Sequence, residues 1–160
     1  MHGTRRTSTK TVGDVMKADV VTVVPEMTVA ELVQTFLDEH VRGAPVLGPT
    51  GKVIGLVSET DVLRLLLPAP AEVGPDTREA PAAGTAQRHG TAFRRRDPCQ
   101  LRVGEIMRPV EVVFTPGEPL ASVVRSFSRD ALQRAVVIEN EILLGIVTPA
   151  DLMPSLAGDA

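Results

Sequence analysis

Aromatic side chains are scarce in this 160-residue sequence, which contains four Phe and neither Trp nor Tyr. Proteins that bind single-stranded nucleic acid without sequence preference stack the bases on aromatic side chains, and such platforms are missing here. The net charge is −3, whereas a nucleic-acid-binding face is usually strongly basic. We therefore expect no nucleic-acid partner.

Cysteines and long apolar runs are also few. The single cysteine, Cys99, excludes an intrachain disulfide, so the cysteine content does not indicate an oxidising compartment. The longest apolar run, residues 62–67, is interrupted by Arg64 and is far too short to cross a bilayer, and the polar N-terminus has no apolar signal core. We expect a cytoplasmic protein with no membrane partner.

Motifs for catalysis and metal binding are missing as well. The sequence has no phosphate-binding loop of the Gly-x-x-x-x-Gly-Lys type and no nucleophile elbow. The three histidines, His2, His40 and His89, lie far apart along the chain, which argues against a metal cluster. We expect no catalytic residue, no metal site and no required cofactor.

An internal repeat is the main feature that the sequence does contain. Residues 103–107 match residues 12–16 in the pattern Val-Gly-acid-apolar-Met, and residues 112–116 match residues 21–25. Each copy continues with an amphipathic helical stripe, a β-hairpin, and a strand that leads into a helix. We place a mobile tail at residues 1–10, a first repeat at 11–67, a flexible Pro- and Ala-rich linker at 68–100 and a second repeat at 101–157.

The repeats predict an α/β (α+β) fold in which each copy has a small mixed sheet with flanking helices. One copy cannot cover both faces of its sheet, so the two are expected to pack about a pseudo-twofold axis. In the first copy we predict a buried strand at residues 20–24, a helix with the apolar stripe that begins at Val29, a hairpin from 44–47 and 52–57, and a helix after Ser58 that reaches Leu67.

A hydroxyl residue and an aspartate three positions later close each repeat: Ser58 with Asp61, and Thr148 with Asp151. This spacing has two interpretations. It is a capping motif that stabilises the following helix. It also places a carboxylate beside the free N–H groups of a helix N-terminus. The carboxylate can accept hydrogen bonds from both hydroxyls of a ribose, and the N–H groups favour an anion.

With both copies laid out, the chain resembles a tandem pair of CBS (cystathionine-β-synthase-type) domains, also called a Bateman module. The resemblance implies a stand-alone regulatory module that binds adenosine-containing ligands (AMP, ADP, ATP, S-adenosylmethionine or NAD-type molecules) in the cleft between the repeats. The residues implied are Ser58, Asp61, Val20, Pro45 and Val46 for one site, and Thr148, Asp151, Val112, Val136 and Val137 for the other. Arg42, Arg64 and Arg134 are the candidates for neutralising phosphate.

The second copy departs from the family pattern, because Val136 replaces a proline and Glu111 stands where the first copy has Val20. We therefore favour the first site over the second. The resemblance also implies a homodimer, formed through the helices at 59–67 and 151–156. The alternative is a ligand-free homodimeric interaction scaffold, in which the linker with Arg94 to Arg96 contacts an unidentified protein partner.

Overall fold

The computed structural model describes residues 10–67 and 97–157. The predicted tail up to residue 9, and the predicted linker from residue 68 to residue 96 with its three consecutive arginines, lie outside the described residues. The end of the predicted linker is ordered, because Pro98–Gln100 forms a 3-10 helix. Asp97 caps this helix by accepting a hydrogen bond from the Cys99 N–H at 3.0 Å.

The first half of the chain follows the predicted order of elements. It opens with a 3-10 helix, and a capping box joins Thr11 to Asp14. Helix α2 ends earlier than the predicted Leu67, and the chain continues to that residue as turns. The described elements are the 3-10 helix Val12–Asp14, α1 (Val29–Asp38), β1 (Gly43–Leu47), β2 (Val53–Ser58) and α2 (Glu59–Arg64).

The second half repeats this order with small differences. A short α-helix replaces the opening 3-10 helix, and the final helix is longer and contains Pro154. The elements after Pro98–Gln100 are α3 (Val103–Ile106), β3 (Val113–Phe114), α4 (Leu120–Asp130), β4 (Ala135–Glu139), β5 (Ile142–Val147) and α5 (Pro149–Ala157).

The predicted strand at residues 20–24 is wrong. Only Val23 pairs with the sheet, as a single parallel bridge to Val46. Val24 is half exposed, and Pro25 has no N–H with which to extend a ladder. The equivalent segment of the second repeat, β3, pairs with β4 over two residues. The segment at residues 20–24 thus contributes a single bridge to the sheet and not a strand.

Each repeat therefore contributes a small sheet built on a hairpin. Strands β1 and β2 are antiparallel, and β4 and β5 are antiparallel with β3 added in parallel next to β4. One face of each hairpin is covered by the amphipathic helix that precedes it. Val29, Leu32 and Phe36 of α1 are buried as the stripe predicts, and Val123 and Phe127 are buried on α4.

The two hydrophobic cores are completed by an exchange of the opening segments. Val12, from the first repeat, is fully buried in the core that α4, β4 and β5 form. Val103, from the second repeat, is fully buried in the core that α1, β1 and β2 form. Backbone hydrogen bonds fix both insertions: Val12 N donates to Glu118 O at 2.9 Å, and Val103 N donates to Met27 O at 2.8 Å.

After each exchanged segment, the chain runs along the hairpin of the other repeat. Lys17 and Ile146 exchange two backbone hydrogen bonds, as do Arg108 and Leu56, at 2.8 to 2.9 Å. A glycine in each hairpin permits this close approach. A Cβ atom at Gly55 or Gly145 would lie 2.8 Å from a backbone carbonyl oxygen of the crossing chain. The crossing places residues from both repeats around each sheet edge.

The helices within residues 10–67 and 97–157 are too short or too polar for any of them to span a membrane.

Candidate functional site

Two clefts lie where the exchanged segments meet the C-terminal ends of β2 and β5. The first, cleft 1, has a volume of about 280 Å³ and the second, cleft 2, of about 520 Å³, close to the size range of small-molecule sites. Cleft 1 is lined by Leu56, Ser58, Asp61, Arg64, Arg108, Glu111, Val112, Asp130, Leu132 and Arg134, among others. Cleft 2 is lined by Lys17, Asp19, Val20, Val21, His40, Val41, Arg42, Glu59, Arg134, Ile146 and Thr148, among others.

Asp61 is the centre of cleft 1, and both of its carboxylate oxygens are engaged. Oδ2 accepts hydrogen bonds from the Ser58 N–H at 2.9 Å and from the Ser58 hydroxyl at 2.7 Å. Oδ1 accepts from Arg108 Nε at 2.6 Å and from Arg64 Nη1 at 3.3 Å. The Asp61 side chain is 8% exposed, whereas the two arginine side chains are about half exposed. The carboxylate is mostly buried and hydrogen-bonded through both oxygens, whereas both cations are accessible from the cleft.

Asp151 holds the equivalent place beside cleft 2. Its Oδ2 accepts from the Thr148 N–H at 2.8 Å and from the Thr148 hydroxyl at 2.7 Å, and its Oδ1 lies 3.1 Å from Lys17 Nζ. Burial acts to raise the pKa of Asp151, but the Thr148 hydrogen bonds and the Lys17 ammonium outweigh it and lower the pKa. The Asp151 carboxyl is therefore held in its ionised form.

Lys17 and Arg108 are site residues that the sequence reasoning missed. Each directly follows the methionine that ends the matching segment Val-Gly-acid-apolar-Met, so the two occupy equivalent positions in the repeats. The signal was present in the sequence as a basic residue at the same place in both copies. This repeated basic residue could not be assigned to a site from the sequence, because each cation pairs with the aspartate of the other repeat. That pairing depends on the crossing of the opening segments, which the sequence does not show.

The apolar wall of each cleft also comes from both repeats. Leu56, Val112 and Leu132 line cleft 1, and Ile146, Val21 and Val41 line the equivalent positions of cleft 2. Such a wall beside a carboxylate and two or three cations can take a flat apolar ring, a sugar and an anionic group in sequence.

Arg134 separates the two clefts and lines both of them. Ala44 pairs with Val57, and Ala135 pairs with Val147 in the matching register, so the residues just before them, Gly43 and Arg134, are equivalent. The Arg134 guanidinium occupies the space that a side chain at Gly43 would need, since a Cβ there would lie 1.6 Å from Nη1. Arg134 Nη2 also donates a hydrogen bond to the backbone carbonyl of the residue before Gly43 at 3.2 Å.

The structure groups the predicted site residues differently from the sequence interpretation. Val20 was assigned to the site of Ser58 and Asp61, but it lines cleft 2 together with Thr148. Val112 was assigned to the site of Thr148, but it lines cleft 1 with Ser58 and Asp61. Both assignments were wrong for one reason: the segment after each opening motif crosses to the hairpin of the other repeat.

Four predicted residues do not reach either cleft with their side chains. Pro45, Val46, Val136 and Val137 are fully buried in the structure, where Val46 and Val137 belong to the two hydrophobic cores. Their side chains stabilise the hairpins that form the clefts and do not face the clefts themselves.

The three predicted phosphate-binding arginines are divided between the clefts. Arg64 lies in cleft 1 beside Asp61, and Arg134 borders both clefts. Arg42 lines cleft 2, where its side chain is 83% exposed and Nη1 is 3.9 Å from Glu59 Oε1. Cleft 2 also has His40 in place of Ala131 of cleft 1. The cleft beside Thr148 and Asp151, which the sequence favoured less, is thus lined by Arg42 as well as by Lys17 and Arg134.

No group of three or more His, Cys, Asp and Glu side chains in the described parts of the chain is arranged to hold a metal ion.

Comparison with known proteins adds a family match in two segments. The model of the CBS domain matches residues 12–68 and 103–158. An uncharacterized protein of Methanocaldococcus jannaschii, MJ1225, is 28% identical over 148 residues, which cover 92% of this chain and 43% of that protein. The gamma-3 subunit of 5′-AMP-activated protein kinase from Bos taurus is 27% identical over 144 residues, which cover 86% of this chain and 24% of the subunit. The chain thus spans less than half the length of these two relatives.

Solved structures show the same fold. The hexameric CBS-CP12 protein from bloom-forming cyanobacteria superposes with a TM-score of 0.66 at 26% identity, covering 91% of this chain and 67% of that one. The structure of CBSX2 in complex with AMP superposes with a TM-score of 0.65 at 20% identity, covering 92% of this chain and 96% of that one.

Proposed function

Because the chain belongs to the CBS-domain family as a tandem pair, we propose that it is a regulatory module that binds adenosine-containing nucleotides in the two clefts between its repeats. The observation that carries the proposal is the pairing of a mostly buried carboxylate with cations that are at least half exposed: Asp61 with Arg108 and Arg64, and Asp151 with Lys17. A nucleotide carries the complementary groups, a ribose diol and an anionic phosphate.

Binding would exchange these ion pairs. The ligand's phosphate attracts the half-exposed Arg108 and Arg64 away from Asp61, and Oδ1 is then free to accept a hydrogen bond from the ribose. Oδ2 keeps its two hydrogen bonds to Ser58, so the carboxylate stays in place. In cleft 2, Lys17 and Asp151 would separate in the same way. The apolar wall contributed by Val112 or Val21 would contact the base.

The relatives agree with this ligand class. The matched kinase subunit is named for its activation by 5′-AMP, and CBSX2 has been solved in complex with AMP. We propose an adenine nucleotide as the regulatory ligand, with the choice among AMP, ADP, ATP, S-adenosylmethionine and NAD-type molecules decided by titration. The ligand regulates only if it favours one arrangement of the repeats over another. CBS-domain pairs are generally regulatory, non-catalytic modules.

Calorimetric titration of the wild type, Asp61→Ala and Asp151→Ala with AMP, ADP, ATP, S-adenosylmethionine and NADH tests the proposal. We expect binding by the wild type, and a loss of about tenfold or more in the affinity of the altered cleft, because a hydrogen bond to a charged group contributes about 1.5–3 kcal/mol. Asp14→Ala is the matched control, since Asp14 makes the same capping hydrogen bonds to Thr11 but lies outside both clefts. Absence of heat from all five ligands would contradict the proposal.

One observation favours the alternative of a ligand-free scaffold. Both oxygens of Asp61 already have protein partners, and no buried side-chain nitrogen or oxygen in the described residues is without a hydrogen bond. A purely structural site would look the same. On this alternative, Asp61→Ala would lower the stability by about 1–2 kcal/mol, through its cap and its ion pairs, and leave every affinity unchanged.

A homodimer is also proposed, with α2 and α5 as the interface. Leu63 on α2, Leu66 and Leu67 in the turns that follow α2, and Met153 on α5 are 54% to 71% exposed. The related CBS-CP12 protein is hexameric. We expect Leu63→Glu with Leu66→Glu to convert a dimer to a monomer in sedimentation velocity. Leu37→Glu, equally exposed on α1, should leave the dimer intact, and a monomeric wild type would contradict the interface.

A further inference from the structure

Arg134 is placed so that two ligands would compete for one cation. It borders both clefts, and among the described residues that line them it is the only cation common to the two. The remaining basic residues belong to one cleft each: Arg64 and Arg108 to cleft 1, and Lys17 and Arg42 to cleft 2. Its position is equivalent to that of Gly43, so the repeat that supplies Arg134 faces a repeat without any side chain at that point.

This pairing of arginine with glycine follows from the space between the repeats. The Arg134 guanidinium fills the position of a Cβ at Gly43, with Nη1 at 1.6 Å and Cζ at 2.5 Å from where that atom would be. A side chain at Gly43 would therefore require this guanidinium to move. The two clefts are asymmetric here, because one repeat has an arginine where the other has a glycine.

The surroundings hold the guanidinium at the partition. Its Nη2 donates to the Arg42 carbonyl, and the carboxylates that act on it come from both sides: Asp61 lines cleft 1, and Glu59 lines cleft 2. Burial lowers the pKa of Arg134, and the charges of Asp61 and Glu59 oppose that shift. The half-buried Arg134 charge therefore interacts with a carboxylate of each cleft.

We propose that Arg134 couples the two clefts negatively, so that a nucleotide bound in one cleft weakens the binding of a second nucleotide in the other. This inference rests on the proposed function. The first phosphate draws the guanidinium to its own side. The second phosphate then lacks the attraction of this cation. A coupling of about tenfold lies within the usual range for such linkage.

The test compares each cleft alone with both together, using AMP and ATP in calorimetric titrations. In Asp151→Ala only cleft 1 keeps its aspartate, and in Asp61→Ala only cleft 2 does. Titration of each variant therefore gives the affinity of the cleft that is unaltered. We expect the wild type to bind its second equivalent of nucleotide about tenfold more weakly than the variant in which only that cleft is intact binds the same nucleotide. In Arg134→Gln, both affinities should fall and this difference should vanish.

Arg125→Gln is the matched control, because Arg125 is exposed on α4 and outside both clefts; the difference should persist in this variant. If Arg134→Gln does not fold, Arg134→Met is used in its place, because methionine keeps the packing of the apolar stem of the arginine side chain. Independent binding of two equivalents by the wild type would overturn the coupling, as would binding in one cleft only or a difference that persists without Arg134. Each of these outcomes leaves nucleotide binding intact. A wild type that binds neither AMP nor ATP would overturn the coupling and count against the proposed function as well.

Discussion

Clefts 1 and 2 have the same backbone construction but different charged groups. Each has a hydroxyl residue that caps a helix, an aspartate that accepts two hydrogen bonds from it, and a cation delivered by the crossing segment. In cleft 1 the aspartate holds two guanidinium groups, whereas in cleft 2 it holds one ammonium group. The duplicated fold preserves the carboxylate and its position, while the cations around it are free to differ.

The walls of the clefts differ in the same way. Glu111 of cleft 1 stands where cleft 2 has Val20, and Ala131 stands where cleft 2 has His40. These side chains are on the surface, where a substitution costs little stability. The comparison teaches that one scaffold can present two clefts with the same backbone construction but different volumes and charged groups.

The largest effect is expected from the exchanged valines, where the repeats should behave alike. Val12→Ala and Val103→Ala should each lower the free energy of unfolding by about 2 kcal/mol, because both side chains are fully buried in the core of the other repeat. Urea unfolding followed by circular dichroism measures this. Val24→Ala, at a half-exposed position, should cost much less. A negligible effect of Val12→Ala would show that the first segment does not dock on the second core.

Substitution of the two aspartates should lower the stability by smaller and unequal amounts, which distinguishes the two clefts. Asp151→Asn should cost about 1 kcal/mol through its cap and its ion pair. Asp61→Asn should cost up to about 1 kcal/mol more, because two guanidinium groups lose their acceptor instead of one ammonium group. Urea unfolding of the two variants tests this difference. Equal losses of stability would mean that Arg64, whose Nη1 lies 3.3 Å from Asp61 Oδ1, contributes nothing to the stability.

Acid should reveal the contribution of Asp151. Its pKa is lowered in the folded protein, so the stability that it contributes is fully present above its unfolded pKa of about 3.9 and is lost as the pH falls through the lower folded value. The wild type should therefore lose more stability than Asp151→Asn between about pH 5 and about pH 2. Parallel curves for the two proteins would contradict the lowered pKa.

The smallest effect is expected where the two hairpin turns meet. Lys52 Nζ of the first turn lies 2.6 Å from Glu141 Oε1 of the second, and both side chains are at least half exposed. An exposed pair of this kind contributes little, so Glu141→Gln should cost less than about 0.5 kcal/mol, and this cost should shrink further in high salt. A cost above 1 kcal/mol would show that contact between the turns holds the repeats together.

Local patterns predicted the elements well because the interactions that decide them are local. The helix of Val29, Leu32 and Phe36 buries the residues that its stripe indicates, and the capping motif at Ser58 closes as its spacing predicts. The family resemblance, and with it the mixed fold of two repeats, was confirmed by the family match and the structural neighbours.

The composition of the clefts could not be predicted in the same way, because it depends on which copy packs on which. Val12 has the same neighbours in sequence and the same pattern whether it enters the core of its own repeat or the other core. The exchange moved Val20 and Val112 to opposite clefts and brought Lys17 to Asp151. The role of the predicted residues in binding a nucleotide stays a prediction until the titrations are done.

Because the opening segments are exchanged, each repeat needs a segment of the other repeat to complete its hydrophobic core. A repeat on its own would leave the pocket for Val12 or Val103 empty and would have to find that segment in a second molecule, as in domain swapping. Joining both copies in one polypeptide replaces this encounter with an intramolecular one at a high effective concentration. Assembly of the pair is therefore independent of how much of the protein is present, and dilution that would dissociate two separate halves leaves both clefts complete.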